Sequence, residues 1–106
     1  MKALIVLFRL KPGADRAAYE NWARQTDLPV VRNLSSVRSF DLYRTLNLFG
    51  SGEPAPYEYV EVIRIADLDR FGSEVASATM QKVAGEFRGF ADNPLFMLAE
   101  LASEDA

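Results

Sequence analysis

Apolar residues crowd the first ten positions of the chain and then spread into helical and alternating patterns. Lys2 to Leu10 reads as a strand, rich in aliphatic side chains and stopped by Lys11-Pro12-Gly13. Asp15 then suits the N-cap of a helix. In that helix Tyr19, Trp22, Ala23 and Thr26 recur at helical spacing on one face, while Arg16, Glu20 and Arg24 lie toward another. Pro29 disfavours a helical Leu28, so a break or bend is expected near Asp27-Leu28, followed by a short turn through Val30-Val31-Arg32. Ser36 to Leu48 alternates as a long second strand, with Phe40, Leu42, Leu46 and Leu48 on one side and Val37, Ser39, Asp41, Tyr43 and Thr45 on the other. Its charges suit a sheet edge. Gly50 to Pro56 forms a loop leading to a third strand, Tyr57 to Ala66. Asp67 caps a second helix with a core stripe of Leu68, Phe71, Val75, Ala78 and Val83 that continues toward Phe87. Gly89 is expected to stop it, Pro94 to open the last strand, Leu95 to Leu101, and residues 103–106 to form a frayed tail.

Strand, helix, strand, strand, helix, strand is the order of an α+β, ferredoxin-like βαββαβ domain. Residues 1–102 form that single domain. Right-handed crossovers put both helices on one face of a four-stranded antiparallel sheet. The first strand, however, is apolar on both sides, with Leu4, Val6, Phe8 and Leu10 against Ala3, Ile5 and Leu7. The last strand repeats this, with Leu95, Met97 and Leu101 against Phe96 and Leu98. Two helices cover one face only, so the other face predicts a two-fold homodimer joined sheet to sheet.

Composition changes the picture mainly by exclusion. The 106 residues are 49% hydrophobic and 25% charged, within the range of one globular domain. Twelve basic against 15 acidic residues leave a net charge of −3, which argues against nucleic acid as a partner. No apolar run is long enough to span a bilayer, and the basic-then-apolar start lacks a cleavage site, so a cytoplasmic location is expected. There is no cysteine and no histidine. Disulfides, thiolate nucleophiles, Ser-His-Asp catalysis and imidazole metal ligands are therefore absent. The acidic residues show no EF-hand spacing, and no metal site is expected. The Gly50 to Pro56 loop lacks the lysine and the following helix of a phosphate loop, which leaves a lid or a plain connector.

The candidates for chemistry are two carboxylates and a set of aromatic rings. Asp27 falls where the first helix meets proline, at the mouth of any cavity between helix and sheet. Sheltered by Trp22 and Tyr19, its raised pKa would suit a general acid or base; a solvated carboxylate or turn cap is the structural reading. Glu61, mid-way along a central strand, is the second candidate, as a substrate-binding residue; if buried it needs a partner, and Arg38 or Arg44 on the neighbouring strand would make it a plain structural ion pair. Aromatic residues make up 11% of the chain. Tyr19, Trp22, Tyr43, Tyr59, Phe87 and Phe90 would line a binding box for a flat ligand or simply fill the core. The register of the second strand decides whether Tyr43 or Arg44 faces that box.

A resemblance covers nearly the whole chain. Leu10-Lys11-Pro12-Gly13-Ala14-Asp15-Arg16-Ala17-Ala18-Tyr19-Glu20, Trp22 and Thr26-Asp27-Leu28-Pro29 carry it, with Ser36 to Phe40, Tyr57 to Val62, Met80 to Val83 and Phe87. On these residues the chain resembles the dimeric α/β-barrel superfamily and, within it, the RedY-like, HapK-like family found beside prodigiosin-type pigment pathways. The neighbouring EthD-like branch carries His-x-Pro where this chain reads Asp27-Leu28-Pro29. The resemblance implies a homodimer acting in assembly or cyclisation of a secondary metabolite, with no bound organic cofactor. The expected function is a cofactor-independent cyclase, isomerase or dehydratase, with Asp27 as its acid/base, acting on an apolar, aromatic or heteroaromatic metabolite. A cofactor-free monooxygenase and a non-catalytic binding barrel are the alternatives.

Overall fold

The computed structural model describes residues 1–103; the remainder of the expected tail, 104–106, lies outside the described residues. Four strands, β1 (Lys2–Leu10), β2 (Val37–Arg44), β3 (Tyr59–Ile65) and β4 (Ala91–Glu100), form one antiparallel sheet in the order β2-β3-β1-β4. Helices α1 (Arg16–Trp22) and α2 (Leu28–Arg32) follow β1, and α3 (Leu68–Val75) and α4 (Ala78–Phe90) follow β3. This is the ferredoxin-like α+β fold. β2 is an edge strand and β3 an inner one, as expected.

The first helix does not break at Asp27. Residues Ala23–Asp27 widen into a π-helical turn, in which the Leu28 amide reaches back five residues to the Ala23 carbonyl, and α2 resumes at once. Pro29 is tolerated because it occupies the first turn of α2, where a missing N–H costs little. The turn expected at Val30-Val31-Arg32 is therefore helix. β2 stops at Arg44 rather than Leu48, and Leu46, Leu48 and Phe49 are exposed in the connection to β3, which begins only at Tyr59.

The second helix splits. Ser77 takes up extended backbone and accepts the Met80 amide at 3.2 Å, starting α4 afresh. The split resets the helical phase, which leaves Leu68 and Ala78 exposed and gives the buried stripe to Met80, Val83 and Phe87. Gly89 lies inside α4, which runs to Phe90. β4 likewise begins before Pro94. Leu7 pairs with Leu95 and Arg9 with Asp92, so Phe8 faces both Asn93 and Pro94 across a bulge, and a bulge on an edge strand such as β4 is a place that accepts proline. Asn93 carries the local distortion, with φ of 45°.

Register assigns every side chain to a face. Val6 stands opposite Glu61, Phe8 opposite Tyr59 and Phe40 opposite Ile63, and these buried side chains meet the helices. The other face carries Ile5, Leu7, Val60, Val62, Leu95 and Met97, with no covering layer among the described residues. The two-sided apolar character of β1 and β4 thus corresponds to one packed and one open face.

Candidate functional site

Between the sheet and α4 lies a cavity of about 370 Å³. Its walls are almost wholly apolar: Val6 from β1, Phe40 from β2, Ile63 from β3, Met80 and Phe87 from α4, and Phe96 from β4. Two carboxyls interrupt this lining, Asp27 from the π turn and Glu61 from β3, and α4 adds the polar side chains of Gln81 and Arg88. Asp27 is 6% exposed and Glu61 4%. The widened turn matters here, because an extra residue per turn shifts the direction in which Asp27 projects and points it at the sheet.

The two acids lie together and titrate as a pair, and a hydrogen bond between them needs a proton on one of the two. Burial pushes Asp27 up to about 6, with the hydrogen bond from Glu61 pulling in the opposite direction. Glu61 is held well above the usual carboxylate range, first by burial and then by the charge and hydrogen bond of Asp27. Near neutral pH the pair therefore holds one proton and one negative charge between its members. Glu61 Oε2 accepts no hydrogen bond within the protein, and neither does the buried Tyr19 hydroxyl donate one. Burial, followed by the charges of Glu61 and Asp27, raises the Tyr19 phenol and keeps it neutral.

The expected partner of Glu61 is corrected by this geometry. Arg44 does face the helices, but it pairs with Glu20 instead, with Nε at 2.7 Å and Nη2 at 2.6 Å from the two carboxylate oxygens. Glu20 was assigned to a polar helical face and is in fact buried. It also accepts the Tyr59 hydroxyl at 2.7 Å and lies 3.6 Å from Arg24 Nη1. The Arg44 hydrogen bond, helped by Tyr59, lowers Glu20 to about 2, so this carboxylate stays charged. A second acidic residue one helical turn from Ala23, facing a strand that offers Arg44, was the signal available for it.

The aromatic set divides. Phe87 lines the cavity. Tyr19, Trp22, Tyr59 and Phe90 pack instead into a ring cluster beside it: Tyr19 lies 4.9 Å from Tyr59, 5.5 Å from Phe90 and 6.0 Å from Trp22 between centroids. Phe8 stacks on Tyr59 at 5.4 Å and meets Phe87 edge-on at 4.9 Å. The Trp22 indole N–H donates to Glu86 at 3.2 Å. Tyr43 pairs with Val60 on the open face, is 59% exposed, and borders a separate polar depression with Glu20, Arg24 and Arg44. Neither it nor the ring cluster is part of the cavity lining. Among the described residues no group of three or more acidic side chains is arranged to hold a metal, and no helix is long and apolar enough to cross a membrane.

A ferredoxin-like sheet with an apolar cavity and a buried acid pair is the class that fold and site define. Residues 2–101 match the family model of the REDY-like protein HapK, and the chain belongs to that family. It is similar to the crystal structure of HapK from Hahella chejuensis, with 31% identity and a TM-score of 0.75 over 100% of this chain and 98% of that one. It is also similar in fold to SnoaB, a cofactor-independent oxygenase from Streptomyces nogalater, with 14% identity and a TM-score of 0.77 over 97% and 94% of the two chains. A dimeric ferredoxin-like protein of unknown function from Thermobifida fusca matches with 14% identity and a TM-score of 0.72 over 94% and 90%. No curated protein matches the chain.

Proposed function

We propose that this protein is a cofactor-independent enzyme of secondary metabolism that acts on a small apolar metabolite through the Asp27–Glu61 pair. The observation that carries the reading is the pair itself, two buried carboxyls that titrate together on the wall of a mostly apolar cavity. Such a site supplies an acid and a base from one shared proton: the ionised oxygen removes a proton from the substrate, and the protonated carboxyl returns one elsewhere on it. Cyclisation, isomerisation and dehydration each need that transfer and little more, provided the cavity holds the reacting atoms in place. Membership of the HapK family supports a biosynthetic role, and the fold shared with SnoaB keeps cofactor-free oxygenation as the variant chemistry.

Two copies pack through their open sheet faces, joining Ile5, Leu7, Val62 and Met97 to their two-fold mates in a homodimer. The apolar character of that face and the dimeric relative from Thermobifida fusca support this.

The test is capture and turnover. The purified protein is incubated with small-molecule extracts of its host, retained compounds are identified by mass spectrometry, and each is assayed without added cofactor. Asp27→Asn and Glu61→Gln are expected to slow conversion by about 10²- to 10⁴-fold. Conversion of no retained compound, or a rate indifferent to both substitutions, would leave a non-catalytic binding barrel.

A further inference from the structure

We infer that the ligand of this cavity carries a cationic nitrogen, such as a protonated amine, on an apolar body, and that the nitrogen seats against Asp27 and Glu61. The inference rests on the cavity being the small-molecule site proposed above, and it adds the chemistry of the ligand's head group. Three observations lead to it. First, Glu61 lines the cavity while 4% exposed, and its Oε2 has no donor within the protein. A buried acceptor without a partner is costly, so a ligand that brings a donor is favoured by the amount the empty site lacks.

Second, the charges around the pair do not balance. From α1 the facing titratable group is Tyr19, which is neutral; from the π turn and β3 come the two acids; β1, β2 and β4 present Val6, Phe40 and Phe96. The one cation on the lining is Arg88 of α4, whose side chain is exposed and has no ion pair or hydrogen bond among the described residues. Lying in solvent, it is screened from the buried pair. One negative charge is thus left in an apolar chamber with nothing to offset it, and an ammonium offsets it one for one. Third, apart from Gln81 and Arg88 the rest of the wall is hydrocarbon and aromatic ring, suited to the apolar remainder of the same molecule.

The experiment uses three probes with one skeleton and three head groups: 4-phenylbutylamine, 4-phenylbutan-1-ol and 4-phenylbutyrate, titrated calorimetrically into the whole protein at pH 7.5. The amine is expected to bind at least about tenfold more tightly than either of the others and to compete with the alcohol for one site. The double variant Asp27→Asn/Glu61→Gln, which leaves the site no ionisable carboxyl, is expected to remove that preference while leaving alcohol binding in place. In wild type, which serves if the variant does not fold, amine affinity should fall as pH drops through about 6 while alcohol affinity holds, because the pair then takes up its second proton. Equal binding of amine and alcohol overturns the inference and leaves the cavity as a general apolar site. Tightest binding of the carboxylate overturns it in favour of Arg88 as the anchor. Binding of none of the three overturns both the inference and the cavity reading beneath it.

Discussion

Two carboxyls buried side by side make stability depend on pH in an unusual direction. Asp27 keeps its proton up to about pH 6 in the folded chain, against about 4 when unfolded. Below about pH 4 both states are protonated and burial carries no ionisation penalty. As pH rises through 6 the unfolded chain has released a proton that the folded one retained, so stability declines. Glu61, displaced in the same direction, extends the decline to higher pH. Asp27→Asn should therefore gain on wild type by about 2 to 3 kcal/mol between pH 4 and pH 8, read from denaturant unfolding across that range. A difference that does not change with pH would mean the two acids are not buried together. The neighbouring Glu20 behaves in the opposite sense. Lowered to about 2, it contributes stability above about pH 4.5 that is lost as pH falls toward 2. Tyr59→Phe removes the hydroxyl that Glu20 accepts and should cost about 1.5 to 3 kcal/mol in the same unfolding measurement. Both acids were visible in the sequence as residues near the first helix and the third strand. Which acid met Arg44 was not, because that depends on the helical phase of α1 against the register of β2 and β3, which packing sets.

At the scale of elements, the departures from the sequence pattern sit where local preference met a tertiary demand. Pro29 signals a break, yet the chain stays helical, since a π turn satisfies the backbone and buries Leu28 and Val31 against the sheet. Propensity is a weak constraint beside such packing. Ser77 is the converse case, a capping residue hidden within a run that reads as one amphipathic helix. Ser77→Ala should lower stability by about 1 kcal/mol through loss of the Met80 amide bond, with the helix split preserved. Thermal unfolding measures it, and an unchanged midpoint would show that packing alone holds the junction. Pro94 was legible as a strand signal but not as a bulge, because its pairing with β1 depends on a residue more than eighty positions away.

For the whole molecule, the open face makes the clearest demand. Val62→Glu places a charge in its centre without touching the helix-packed core, so the variant should keep its far-UV circular dichroism and sediment as a monomer. A dimer that persists in Val62→Glu would overturn the sheet-to-sheet arrangement. The face itself was readable from residue order alone. Alternation along β1, with Leu4, Val6 and Phe8 against Ile5 and Leu7, fixes which side chains share a side whatever the rest of the chain does, since strand geometry has a period of two. The βαββαβ order and the absence of histidine and cysteine were settled there too, and with them the exclusion of imidazole and thiol groups from any acid/base chemistry. Only the tertiary structure decided that Asp27 and Glu61 meet, that Arg44 turns to Glu20, and that Tyr43 faces away while Phe87 faces the cavity. Those outcomes depend on strand register and helical phase, which are set by packing between segments far apart in sequence.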